Sequence, residues 1–215
     1  VAEDGTDGLR SPSDDDRENA MNDNWTEHPL LEGPRIRLEP LDDAHAEGLL
    51  KAADDPDTIF AWTHLVIRDL DDARTFVRQA MADPSRLPYA IVDRATGEVL
   101  GSTSYYLLEP AHRTLVIGYT WLSTRVQRTH VNSESKLLLL QRAFDDLGAV
   151  RVTWHADERN TRSRDALRRL GATEEGLLRK HRRRRDGSWR TTALFSLTDD
   201  EWPGVRARLE ERPVR

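Results

Sequence analysis

The sequence predicts an α+β domain, a mixed α/β arrangement of helices flanking one sheet, and three observations carry that reading. The run Thr114–Leu122 (TLVIGYTWL) is rich in β-branched and aromatic residues and is too short and bulky for a surface helix, so it reads as a buried strand. A helical pattern and a second strand, Val150 to His155, follow it in the order of a crossover between parallel neighbours. The first half of the chain instead carries a hairpin signal, Arg94-Ala95-Thr96-Gly97, between two strand-like runs. Parallel and antiparallel connections in one chain argue for a mixed sheet rather than a doubly wound fold.

Taken in order, Arg35 to Leu41 alternates charged and apolar residues and reads as a strand. Asp42 caps a helix whose apolar face holds Ala46, Leu49, Leu50 and Ala53, and Pro56 begins a short helical turn toward Trp62. Asp69 to Ala82 is amphipathic, with Leu70, Ala73, Phe76, Val77 and Ala80 on one side; Pro84 and Pro88 punctuate its exit. Tyr89–Asp93 and Glu98–Leu108 are the strands of the hairpin, and Pro110 turns the chain into the central strand. A polar loop, Ser123 to Val131, precedes a helix capped by Asn132 or Ser133. Leu137, Leu140, Phe144 and Leu147 share a face of that helix, and Gly148 closes it. After the second strand come a helix from about Thr161 to Leu170 closed by Gly171, a hairpin turning at Asp186-Gly187, and a final helix from Asp199 to Arg212.

At 215 residues the expected organisation is a disordered acidic tail over residues 1–20 and a single domain over 21–215. In the tail seven carboxylates face only Arg10 and Arg17, a net −5 of the chain's formal −6. The tail reads either as an acidic arm or as sequence upstream of a true start at Met21. Cysteine is absent, which excludes disulfides, thiolate metal sites and a cysteine nucleophile. The seven histidines lack metal-ligand spacing, so no metal is expected. No run is apolar and long enough to span a membrane and no signal pattern appears, so the expected location is cytoplasmic.

The chemistry is expected in the loop after the central strand. A loop entering a helix N-terminus aims several unpaired N–H groups, and the positive end of the helix dipole, at one place, which suits a diphosphate. Gln127-Arg128-Thr129-His130-Val131-Asn132 occupies this position. It resembles the acyl-CoA loop of the GNAT superfamily of N-acyltransferases, Gln/Arg-x-x-Gly-x-Gly/Ala. Downstream, Arg151-Val152, Asn160-Thr161-Arg162-Ser163, Leu170-Gly171-Ala172, Glu175-Gly176, Arg179-Lys180-His181, Asp186-Gly187 and Glu201-Trp202-Pro203 resemble the ribosomal-protein N-terminal acetyltransferase (RimJ/RimL-like) branch. The resemblance covers about residues 30 to 211. It implies a splayed mixed sheet of about six to seven strands, with acetyl-CoA as acyl donor in the splay. His130 and Asn132 replace the family's glycines, and their Cβ atoms restrict the approach of a diphosphate to the backbone.

The implied reaction is direct attack of an amine on a thioester in a ternary complex. It needs a neutral amine, a donor for the oxyanion and a proton source for the thiolate. Trp121 and Leu122 offer backbone N–H groups for pantetheine and oxyanion; Gln127, Arg128, Thr129, His130, Val131 and Asn132 form the diphosphate loop. Asn160 orients the cofactor as a helix cap, and Ser163, three residues on, is the acid that meets the thiolate. His155 is the candidate base, with Glu109 and His64 as further candidates and a water relay as the alternative. The acidic residue that branch relatives often carry in the terminal hairpin is replaced here by Thr191. The acceptor is an amine, either a protein N-terminus or a small molecule, and a homodimer is compatible with the sequence. Arg179, Lys180, Arg182, Arg183, Arg184, Arg185 and Arg190, with His181, crowd one hairpin, which reads as a solvated edge that blocks sheet-to-sheet aggregation, as a patch that attracts an acidic acceptor or the CoA phosphates, or as a nucleic-acid or ribosome surface; on the last reading the alternative is a non-catalytic RNA- or ribosome-binding module on a decayed transferase fold.

Overall fold

A computed structural model describes residues 24–211; the expected tail over residues 1–20, and Met21, lie outside the described residues. The strands are β1 (Leu31–Glu32), β2 (Ile36–Pro40), β3 (Arg86–Asp93), β4 (Val99–Glu109), β5 (Thr114–Leu122), β6 (Arg151–Asp157), β7 (Thr173–Arg183) and β8 (Trp189–Thr198). The helices are α1 (Ala46–Ala52), α2 (Pro56–Ile59), α3 (Leu70–Ala82), α4 (His130–Gln141), α5 (Thr161–Leu170) and α6 (Trp202–Glu210). A π turn, Arg142–Asp146, extends α4.

β5 occupies the residues its composition marks. The expected six to seven strands become eight among the described residues, in the order β1-β2-β3-β4-β5-β6-β8-β7. The added strand is β1, whose two residues are too short to show a period. β3 also begins earlier than expected, at Arg86, and contains Pro88 opposite Ser104. Pro88 is tolerated because its missing donor falls where β2 has ended; its carbonyl accepts from the Leu41 N–H at 2.8 Å.

All neighbouring strands are antiparallel except β5 and β6. That parallel pair is short: Thr114, Leu115 and Val116 lie opposite Arg151, Val152 and Thr153, and pairing ends there. Beyond it, Ile117–Leu122 and Trp154–Asp157 diverge, and the sheet is open between them. Two features hold the strands apart. β5 carries a bulge between Gly118 and Trp121, where Tyr119 takes a left-handed φ of 52°. β6 is fully paired on its other side, to β8, from Arg151 through Asp157.

One face of the sheet is covered by α4, α5 and α6. Leu138, Leu139, Leu167, Leu170 and Val205 pack there against Ile117, Val152, Trp154 and Phe195. Trp202 stacks on Phe144 (5.6 Å between centroids) and donates to Asp145 at 2.8 Å, so Glu201-Trp202-Pro203 docks α6 beneath α4. The other face is covered only over β2–β5, by α1, α2 and α3, through Leu49, Phe60, Phe76 and Val77 against Ala90, Val92 and Trp121. Arg151 and Glu175 form a two-pronged ion pair (2.6 and 2.5 Å) across β8, which gives those two residues a structural role. No helix among the described residues is long and apolar enough to cross a membrane.

Candidate active site

The opening between β5 and β6 points toward two helix N-termini. The first is α4. Its cap is Thr129, not Asn132 or Ser133: the Thr129 hydroxyl accepts from the Val131 N–H (3.3 Å) and donates to the Val126 carbonyl (2.7 Å). The helix therefore begins at His130, and its first turn is the loop sequence itself. This changes the meaning of the two missing glycines. His130 and Asn132 are helical residues; the left-handed residue of the loop is Arg128, with φ 65°. The His130 ring lines a hollow of about 440 Å³ with Pro34, Arg35, Asp93, Arg94 and Ala95, on the β2–β3 side of the helix. Val131 is a core residue.

The second N-terminus is that of α5. Asn160 caps it, accepting from the Ser163 N–H at 3.1 Å. Ser163 stands in the first turn, half-buried. Gln127 joins the two sides of the mouth: its amide donates to the Leu122 carbonyl (3.0 Å) and its oxygen accepts from Arg162 (2.8 Å). Asp54 fixes the start of the loop by accepting from the Ser123 hydroxyl (2.7 Å) and the Thr124 N–H (2.9 Å).

The strand geometry separates Trp121 from Leu122. Ser123 N–H bonds to the Leu100 carbonyl, so alternation turns both polar backbone groups of Leu122 away from β4. Its carbonyl meets Gln127, and its N–H faces the opening. The Trp121 side chain is core, edge-on to Phe60 at 5.1 Å.

His155 lies on the other face. Its neighbours Trp154 and Ala156 point into the core under α4 and α5, so His155 points away from that core and from the helix that carries Ser163. There it meets Tyr106 (hydroxyl to Nδ1, 3.3 Å) and the His181 ring (centroids 5.6 Å apart), and its carbonyl accepts from Arg190 (3.1 Å). Burial, helped by His181, Arg182 and Arg190, pushes His155 down to about 4, so it is neutral at pH 7 and a weak base. Burial holds the Tyr106 hydroxyl up at about 12. Glu109 is at the opposite end of β5, opposite Thr114, and His64 is in the exposed segment before α3.

Several residues of the site were not singled out from sequence. Tyr106 and Tyr119 flank the opening with rings 5.0 Å apart. The signal for Tyr119 was Gly118, a glycine inside a strand, which marks a bulge. Lys136 of α4 is buried and donates to the Thr120 hydroxyl (3.0 Å), which is 2.8 Å from that of Thr103. Three arginines of the Arg-rich hairpin, Arg183, Arg184 and Arg190, are engaged internally. Arg184 holds the buried Asp157 carboxylate (2.7 and 3.0 Å), and Arg183 lies over Trp189 at 4.5 Å.

Comparison with known proteins agrees with this geometry. The acetyltransferase (GNAT) domain family matches residues 35–173. A GCN5-related N-acetyltransferase from Brucella melitensis is similar in structure, with a TM-score of 0.81 at 30% identity over 86% of this chain and 85% of that one. A protein from T. thermophilus assigned as an acetyltransferase superposes with a TM-score of 0.78 at 38% identity over 86% and 97% of the two chains. Mycobacterium smegmatis RimJ in complex with CoA-disulfide shares the fold, with a TM-score of 0.71 at 22% identity over 86% and 94%. No curated protein matches the chain. The splayed sheet and the family match together identify this chain as a member of the GNAT acetyltransferase family.

Proposed function

We propose that this protein transfers an acetyl group from acetyl-CoA to a primary amine, by direct attack in a ternary complex, as a relative of the ribosomal-protein N-terminal acetyltransferase branch. The observation that carries the proposal is the early end of the β5–β6 pairing. It leaves the Leu122 N–H facing an opening whose mouth is formed by the first turns of α4 and α5. The CoA ligand of the RimJ neighbour supports the same ligand in this fold.

In this reading Arg128 to Asn132 hold the diphosphate on the α4 N-terminus. The Leu122 N–H steadies the acyl carbonyl and receives the negative charge that develops on its oxygen. Acetyl-CoA supplies the acyl group as a thioester. Transfer forms one C–N bond and breaks one C–S bond; the amine loses a proton and the departing thiolate gains one. Ser163 is the donor to that thiolate, with Asn160 fixing the turn that carries it. His155 faces away from Ser163, so a proton it accepted would leave through the Tyr106–His181 face. The acceptor is a small amine or a protein N-terminus.

Acetyl-CoA at millimolar concentration is expected to raise Tm by several degrees, since a ligand at a hundred times its Kd adds about 2.7 kcal/mol. RNA at physiological salt is expected to leave Tm unchanged. The reverse pattern would favour the RNA- or ribosome-binding alternative. Ser163→Ala is expected to keep the acetyl-CoA shift and to lower turnover about tenfold or more, because its role arises only as the thiolate departs. Unchanged turnover, under conditions where chemistry limits the rate, would remove Ser163 from the mechanism.

A further inference from the structure

We propose that the open face of the sheet beside β5 and β6 binds an acceptor carrying an anionic group, a carboxylate or a phosphate, close to its amine, and that Arg86 receives that anion while Arg190, at the far end of the same face, adds positive charge. This names the substrate class of the acetyltransferase reading and rests on it.

Arg86 opens β3 beneath the bulge of β5 and is only 8% exposed. Its Nε donates to the Ser104 hydroxyl at 2.8 Å, and its guanidinium lies 3.9 Å from the centre of the Tyr119 ring. Its Nη2 is buried without a hydrogen-bond partner among the described residues. A buried guanidinium with no paired carboxylate is costly to keep, and groups of that kind concentrate where a ligand completes them. Its planar fork matches a carboxylate or phosphate. The covering ring, Tyr119, is itself 47% exposed and stands on a left-handed residue.

A continuous wall of rings leads from Arg86 to a second incompletely used arginine. Tyr119 meets Tyr106, Tyr106 meets His155, and His155 meets His181. At the far end Arg190 donates to the His155 carbonyl, while its Nε is buried without a partner among the described residues. Asp157 acts on Arg190 only at a distance: its carboxylate is engaged by Arg184 and the Arg159 N–H, and no ion pair joins it to Arg190 among the described residues. Arg182 adds further positive charge beside Tyr106 and His155. An anion held among these groups would bring a neighbouring amine to the His155–Tyr106 pair. The same cations disfavour the ammonium form and so favour the neutral amine that transfer requires.

The test titrates matched probes into CoA-saturated protein by calorimetry: O-phosphoethanolamine against ethanolamine, and alanine against alaninamide. The anionic member of at least one pair is expected to bind at least tenfold more tightly than its partner. The pair that shows the preference tells phosphate from carboxylate. Arg86→Met, which keeps the apolar stem, is expected to abolish the preference, and Arg86→Lys to keep part of it; Arg190→Met, at a separate position, is expected to weaken it. Equal binding within both pairs, no binding by any probe, or an undiminished preference in Arg86→Met and Arg190→Met would overturn the proposal. The acetyl-CoA thermal shift on the same samples separates the two levels. With the shift present and the preference absent, only the acceptor class fails; with the shift absent, the acetyltransferase reading fails first.

Discussion

Lys136→Met is expected to make the protein more stable, by about 2–4 kcal/mol at pH 7. Lys136 is 6% exposed, and burial alone pushes its ammonium down to about 7 from the usual 10.5. In the unfolded chain it keeps its proton up to about 10.5. Between those values the unfolded state binds a proton that the folded state lacks, so stability rises with pH through this window. Below pH 7 the folded protein carries the full burden of a buried cation offset by a hydrogen bond to Thr120. Methionine removes the charge and retains most of the volume, and the Thr120 and Thr103 hydroxyls still have each other. Urea unfolding at pH 7 and pH 9 checks this. The wild type should gain stability over the interval, the variant should not, and Tm of the variant at pH 7 should rise by roughly 5–10 °C. A variant less stable than wild type at pH 7 would show that the lysine is compensated in solution.

Gly101→Ala is expected to act in the opposite direction, costing about 3 kcal/mol or more. Gly101 lies opposite Leu122 with φ 155°, and a Cβ there would come within 2.1 Å of the Trp121 carbonyl oxygen and 2.9 Å of the Leu122 Cα. Those atoms are backbone and cannot swing aside, so β4 and β5 would have to part. The displacement falls on the Trp121–Leu122 segment that lines the opening, so acetyl-CoA affinity should fall together with stability. Denaturant midpoints and an acetyl-CoA titration on the variant measure both. A midpoint and an affinity close to wild type would mean that the ladder at Gly101 yields easily.

The parts of the fold visible in the sequence are those whose period is set by one buried face. β5 could be read to its ends because a nine-residue β-branched and aromatic run has few other uses. α5 was equally plain, with Asn160 at one end and Gly171, at φ 102°, at the other. α4 was harder because it is buried on more than one side. Leu138, Leu139 and Leu140 are all buried, and so are Glu134 and Lys136. Glu134, a carboxylate buried on α4, accepts from the N–H groups of Arg35 (2.8 Å) and Ile36 (3.0 Å) and clamps the β1–β2 turn. Its true start was missed because Asn132 and Ser133 are as good caps by type as Thr129; the burial of Val131 decides between them. Of the candidate site, the loop entering α4 was legible from the residues themselves, whereas Asn160 and Ser163 came from the family resemblance; the structure shows Asn160 as the cap of α5 with Ser163 in its first turn. What could not be read was the division of the site between two faces of the sheet. That depends on strand parity, which sends His155 to one face and Trp154 to the other, and on a bulge that turns Tyr119 onto Arg86.

Acetyl-CoA bound in the opening between β5 and β6, across the first turns of α4 and α5, would shield the backbone there from solvent. Hydrogen exchange of the backbone amides, followed by mass spectrometry with and without acetyl-CoA, tests it most directly. Protection is expected in peptides covering residues 120–122, 128–132 and 160–163, with the 179–190 hairpin little changed. Protection confined to that hairpin, or no protection anywhere at saturating ligand, would contradict it.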